Sequence, residues 1–163
     1  MQSKTSVISA AVLALAISAA AQTKISGTAT CGNPTASHVL SVPDRPNHSF
    51  TIAQGNCKWT KPFEIAGSQA ADGMSTAFAE VTGNKSNGRG VFVGNMASGD
   101  KFHVRFQEVS TLKDGAPQTA EGKWTFAGGT GKLKGITGQG THKAKAAPDG
   151  VIVEVEGEYT LPK

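Results

Sequence analysis

From Gln22 onward, apolar and polar residues alternate with a period near two, and no window sustains the stripe of an amphipathic helix. Thr23–Cys31 sets Ile25, Ala29 and Cys31 on one side and Lys24, Thr28 and Thr30 on the other. Similar runs follow at Ser49–Trp59, Thr76–Thr82, Gly90–Met96, Lys101–Val109, Gly122–Ala127, Ile136–Lys145 and Val151–Thr160. Turn chemistry separates them at Asn87-Gly88, Ser98-Gly99-Asp100, Lys113-Asp114-Gly115 and Pro148-Asp149-Gly150. Short runs at hairpin spacing predict a meandering antiparallel sheet, which either closes on itself or splits into two packed layers. Glycine inside the strands, as in Gly138-Gln139-Gly140, favours the bending that a small barrel needs. The pattern predicts an all-β chain forming an antiparallel eight-stranded up-and-down β-barrel, with a β-sandwich as the alternative.

Two segments depart from the alternation. Gly32–Asn47 carries Pro34, Pro43 and Pro46, a density that blocks ladder hydrogen bonds and predicts a long ordered loop. At the other extreme, residues 1–21 hold one charge, Lys4, and an apolar stretch at Val7–Ile17, interrupted by Ser9 alone and showing no polar face. That stretch is too short to span a bilayer, and it closes on Ser18-Ala19-Ala20-Ala21, small residues suited to a signal-peptidase cleft. The expectation is a cleaved signal peptide at 1–21, a single β-barrel domain at 22–163, a secreted or periplasmic location, and no membrane anchor.

Export changes how the two cysteines are read. In an oxidising compartment an even count favours a bridge, here Cys31 to Cys57, over free thiols. Neither cysteine has a His or Cys partner at ligand spacing, so a metal site is not expected. All 20 glycines fall after the leader, and the net charge is only mildly positive, with 16 Lys+Arg against 12 Asp+Glu. The basic residues Lys132, Lys134, Lys143 and Lys145 have no aromatic residues between them, which argues against nucleic-acid binding.

The segment Gly128-Gly129-Thr130-Gly131-Lys132-Leu133 fails as a phosphate loop, because Phe126 and Leu133 stand where a glycine and a hydroxyl are needed. Glycines there suit a hairpin connection requiring positive φ, so Gly128, Gly129, Thr130 and Gly131 are read as structural. With Phe126-Ala127 before it and Gly138-Gln139-Gly140 after it, the segment resembles the Gly-Gly-Thr-Gly signature of dirigent proteins. It is similar also to the related barrel of allene oxide cyclases. The resemblance implies an eight-stranded barrel, often trimeric, whose apolar interior holds a reactive organic molecule and steers its coupling or cyclisation, and which uses no metal, nucleotide or other cofactor. It carries over no catalytic set, and the catalytic residues remain unknown.

Among the remaining side chains, Gly138, Gly140, His142 and Ala144 share one face lined by small residues. The expected ligand site is therefore a cavity beside Trp124, Phe126, Gly140 and His142, with His142 as its polar group and His103 and Arg105 as the fallback in the reversed register. Glu154, Glu156 and Glu158 read as a solvated face. Tyr159 lies on the apolar side of the last strand. Val91 and Val93 with Phe102, Val104 and Phe106 supply more apolar surface than one small barrel can enclose, so a homo-oligomer is expected. The function predicted is non-catalytic binding of a small apolar, aromatic or amphipathic molecule. The alternative is a cofactor-free isomerase, cyclase or coupling-control protein of the dirigent or allene oxide cyclase type.

Overall fold

The computed structural model describes residues 22–162, so the segment read as a signal peptide lies outside the described residues. Ten strands follow in order: β1 (Thr23–Gly32), β2 (Ala36–Ser41), β3 (His48–Lys61), β4 (Glu64–Ile65), β5 (Ser68–Thr82), β6 (Lys85–Met96), β7 (Lys101–Lys113), β8 (Ala116–Gly129), β9 (Thr137–Ala147) and β10 (Gly150–Thr160). From β5 to β10 each strand pairs antiparallel with its successor, and β1 pairs with both β10 and β3. Pairing of β3 with β5 closes the circle. Eight strands thus form a closed antiparallel up-and-down barrel, and closure leaves no room for the sandwich.

β2 and β4 are additions to the wall. β2 continues along the edge of β3 that β1 leaves: Cys31 faces Cys57, and after a kink Ala36 faces Gln54. The proline argument for a long ordered loop at Gly32–Asn47 fails because Pro34, Pro43 and Pro46 bracket these six residues without entering their ladder. Beyond β2, the turn to β3 is held by an ion-pair cluster in which half-exposed Asp44, Arg45 and Glu80 surround buried His48. Asp44 accepts from Arg45 at 2.8 Å and sits 2.5 Å from His48 Nδ1, while Glu80 lies 3.0 Å from His48 Nε2. β4 forms a two-residue hairpin with the start of β5.

Three of the four expected turns connect strands as predicted. Asn87-Gly88 does not: both residues lie within β6, facing Glu80 and Ala79, and the β5–β6 turn is Gly83-Asn84. Likewise β5 begins eight residues before the run at Thr76, because its Ala-Ala-Asp-Gly stretch carries no alternation to announce a strand.

The core gathers at one end of the barrel. Ile65 from β4 and Leu133 from a single 3-10 turn (Gly131–Leu133) join Phe63, Ala70, Met96, Phe102 and Ile136 in a buried base. Inward residues Phe102, Val104 and Phe106 alternate on β7 with outward His103 and Arg105, so the reversed register does not occur. Val91 points outward and is exposed, so neither the barrel nor the 32–47 segment covers it.

Candidate functional site

Closure sends alternate residues of each strand into the barrel. Above the buried base they leave a cavity of about 320 Å³. One wall is a run of ring contacts: Trp59 against Phe63 at 4.7 Å, Phe63 against Phe102 at 5.5 Å, Phe102 against Phe126 at 6.1 Å and Phe126 against Trp124 at 5.2 Å. Edge and tilted arrangements of this kind match the charge distribution of aromatic rings and fix the wall.

Trp124 owes its place to its neighbours on β9 and β10. The register puts Trp124 opposite Gly140, and Gly140 opposite Gly157. A Cβ at Gly140 would collide with the Trp124 ring and the Glu156 carbonyl oxygen, and one at Gly157 would meet the same ring. The indole therefore lies across two glycines, and its Nε1–H donates to the Thr141 carbonyl at 3.0 Å. Gly140 does not open empty volume, as the pattern had suggested; Trp124 takes the volume up.

Midway up the cavity the chemistry changes. His142 on β9 is buried, and its Nε2 lies 2.9 Å from Glu108 Oε2 on β7. Gly122 separates the two in the β8 position between them, and its missing side chain lets the pair meet. Phe106 meets the imidazole edge-on at 6.0 Å. Buried Ser110 follows two residues after Glu108 on the same face. The cavity is thus an apolar, ring-lined chamber with one carboxylate–imidazole couple in its wall, opening past Pro34, Gln118 and Lys145. Such a couple can accept or donate a hydrogen bond to a guest at the same point. Among the described residues, no three His, Cys, Asp or Glu side chains are placed to hold a metal ion.

No protein-family model matches the chain, and no curated protein matches it in sequence. Among solved structures it is similar to a pterocarpan synthase dirigent protein, with a TM-score of 0.52 and 11% identity over 94% of this chain and 98% of that one. It also matches, at a TM-score of 0.46 and 10% identity over 88% and 99%, a protein of unknown function from the DUF3224 family of Shewanella oneidensis. The fold is that of a dirigent-type barrel. At these identities the likeness is one of architecture.

Within this dirigent-type barrel the residues singled out in the sequence fall in three places. Trp124, Phe126 and His142 converge on the cavity wall, and Gly140 lies beneath the indole. Gly128, Gly129, Thr130 and Gly131 lie instead at the base. There Gly131 adopts φ +51 against the Asp100 carboxylate, and the Thr130 hydroxyl accepts from the Lys101 N–H at 2.8 Å. They lead into the 3-10 turn that delivers Leu133 to the base, rather than forming a plain hairpin. Cys31 and Cys57 form a disulfide toward the mouth, across the β1–β3 pairing. Arg105 is exposed on the outer surface, whereas Tyr159 packs against the core. Sequence reading missed Glu108. Its alternation was available: one more step beyond Phe106 puts Glu108 on the inward face.

Proposed function

We propose that this chain is an exported binding protein whose barrel holds a small amphipathic molecule. Its apolar body would lie against Trp59, Phe92 and Phe126, and its polar group would reach the Glu108–His142 couple. The observation that carries the reading is the cavity itself: about 320 Å³, within the range of small-molecule sites, and lined mostly by apolar side chains, with the couple set among them. Export is supported by the apolar stretch at Val7–Ile17 and by the disulfide, a bond that persists in oxidising compartments. No helix among the described residues is long and apolar enough to cross a membrane.

The test uses N-phenyl-1-naphthylamine, a neutral fluorophore, titrated against wild type and Ala144→Leu. Ala144 lines the cavity beside Val153 and Ala120, so a larger side chain there fills space without disturbing Trp124. Saturable binding weakened tenfold or more in the variant is expected, at an unchanged melting temperature. Equal affinity in the two proteins would show that the probe sits elsewhere.

One observation favours a second reading, that of an isomerase or cyclase. A carboxylate 2.9 Å from an imidazole, in the wall of a mostly apolar cavity, is equipped to move a proton to or from a bound carbon or oxygen acid. Native mass spectrometry of protein purified from its host would identify a retained molecule. Deuterium appearing in that molecule in D2O with wild type, but not with Glu108→Gln, would establish turnover.

A further inference from the structure

The outer face of the barrel carries a second feature, separate from the cavity. A shallow groove crosses β3, β5, β6, β7 and β8 on the side away from the interior. Its apolar floor is Ile52, Phe78 and Val91, which are 49%, 40% and 43% exposed. Beside them stand Arg89, Arg105 and Lys123.

Register fixes how these groups relate. Ile52 faces Phe78 and Phe78 faces Arg89 in one cross-strand row, which continues through Gln107 to Lys123. Arg105 faces Val91 in the next row, diagonal to both Arg89 and Lys123. Diagonal positions put side-chain origins roughly 7–8 Å apart, within reach of long side chains meeting at one point. None of the three cations has a carboxylate oxygen within ion-pair distance among the described residues. The nearest acids along the strands are otherwise placed: Glu80 is taken by Arg45 and His48, and Glu121 stands opposite Lys143. Arg89 lies over the Phe78 ring at 5.5 Å, which orders the guanidinium while leaving its edge free to donate.

Three uncompensated cations at neighbouring positions repel one another, and exposed aliphatic and aromatic side chains beside them forgo burial. A single kind of guest relieves both. We propose that this groove binds an organic anion, with a carboxylate, phosphate or sulfate head held by Arg89, Arg105 and Lys123 and an aliphatic or aryl body laid on Ile52, Phe78 and Val91. The surface is concave, which suits a discrete molecule better than the plane of a bilayer.

The probe is octanoate, titrated into isotopically labelled protein at low ionic strength and followed by amide chemical shifts. The comparisons are octan-1-ol, inorganic phosphate, phosphatidylglycerol vesicles and the double variant R89Q/R105Q. Both substituted side chains point outward, so a melting curve matching wild type is the expected fold control. Octanoate should shift amides around Phe78, Arg89 and Arg105, and bind at least tenfold more tightly than octanol or phosphate at that site. The double variant and 0.3 M KCl should each remove most of that affinity. Neutral-fluorophore binding in the barrel should be the same in wild type and R89Q/R105Q, so the two sites succeed or fail separately. Shifts confined to the barrel lining, or unchanged in R89Q/R105Q, would overturn the proposal. So would vesicle capture without any effect of monomeric octanoate, or a concentration-dependent dimer that buries the groove.

Discussion

The two ends of the barrel are built on different terms. At the base, Phe102, Ile65 and Leu133 are almost wholly removed from water, and two short accessory elements exist to deliver the last two of them. At the mouth, β2 runs along β3 with its other edge unpaired, and Leu40 on it is 71% exposed. Burial of side chains in a close-packed interior contributes most of the favourable folding energy, so the base carries stability and the exposed strand at the mouth adds little. Substitution should expose the contrast. Phe102→Ala is expected to cost about 3–5 kcal/mol, and Leu40→Ala no more than about 0.5 kcal/mol. Urea unfolding of the two variants measures both, and comparable losses would mean that the base is not the stabilising end.

The mouth has one strong fastening, the Cys31–Cys57 bridge, 26 residues apart in sequence. On the chain-entropy model, closing a loop of that length stabilises the fold by about 3.5 kcal/mol. Reduction should therefore lower the unfolding midpoint, and amide exchange should quicken first in β2 and the neighbouring part of β3 while Phe102 and Leu133 stay protected. Two alkylated thiols in protein exported and purified without reductant would show that the bridge is not used. Uniform loss of protection on reduction would show that the two ends are one cooperative unit.

The same contrast explains what could be read in the sequence. The barrel wall was legible, because strands with one buried face announce themselves by alternation, and Phe102, Val104 and Phe106 do so plainly. His142 was legible for the same reason. Glu108 was not, since a charge continuing an apolar row reads as the end of the buried run rather than as part of the interior. The accessory pieces were the least visible. β2 hid among prolines that only bracket it, and the role of Gly128–Gly131 in bringing Leu133 to the base depends on contacts with Asp100 and Lys101, roughly thirty residues away in sequence. Local pattern carries a period. It does not carry a partner.

The two tryptophans sharpen the comparison at smaller scale. Trp124 donates its indole N–H to the Thr141 carbonyl, whereas Trp59 Nε1 is buried without a partner among the described residues. A buried donor left unpaired costs about 1–3 kcal/mol, and removing it by substitution recovers part of that. Trp124→Phe should thus destabilise more than Trp59→Phe, by about 1 kcal/mol or more, although both lose the same ring volume. Thermal unfolding with matched baselines decides it, and equal losses would mean that Trp59 has an unseen partner such as water.

The smallest effect lies farthest from the base, at the β2–β3 turn, and it depends on pH. The Asp44 carboxyl is held below its ordinary value, first by its hydrogen bond to His48 and then by the positive charges of Arg45 and His48, which outweigh the opposing loss of hydration. A carboxylate whose folded pKa is depressed adds stability that is fully present above its unfolded value, near 3.9, and that is lost as pH falls through the folded value. Acidification below about pH 4 should therefore loosen the turn before it unfolds the barrel, because the base is held mainly by apolar and ring contacts that do not titrate. The hydrogen bond from the Val42 N–H to the His48 carbonyl, at 2.9 Å, is the local reporter. Its amide should lose protection between pH 5 and pH 3 in wild type, while Asp44→Asn should already be loosened at pH 5 and change little further. Because Asp44 is exposed, the change should be confined to the turn, with the midpoint of global unfolding nearly the same in both proteins. If wild type and Asp44→Asn lose protection along the same acid profile, another carboxylate, with Glu80 first in line, governs the turn.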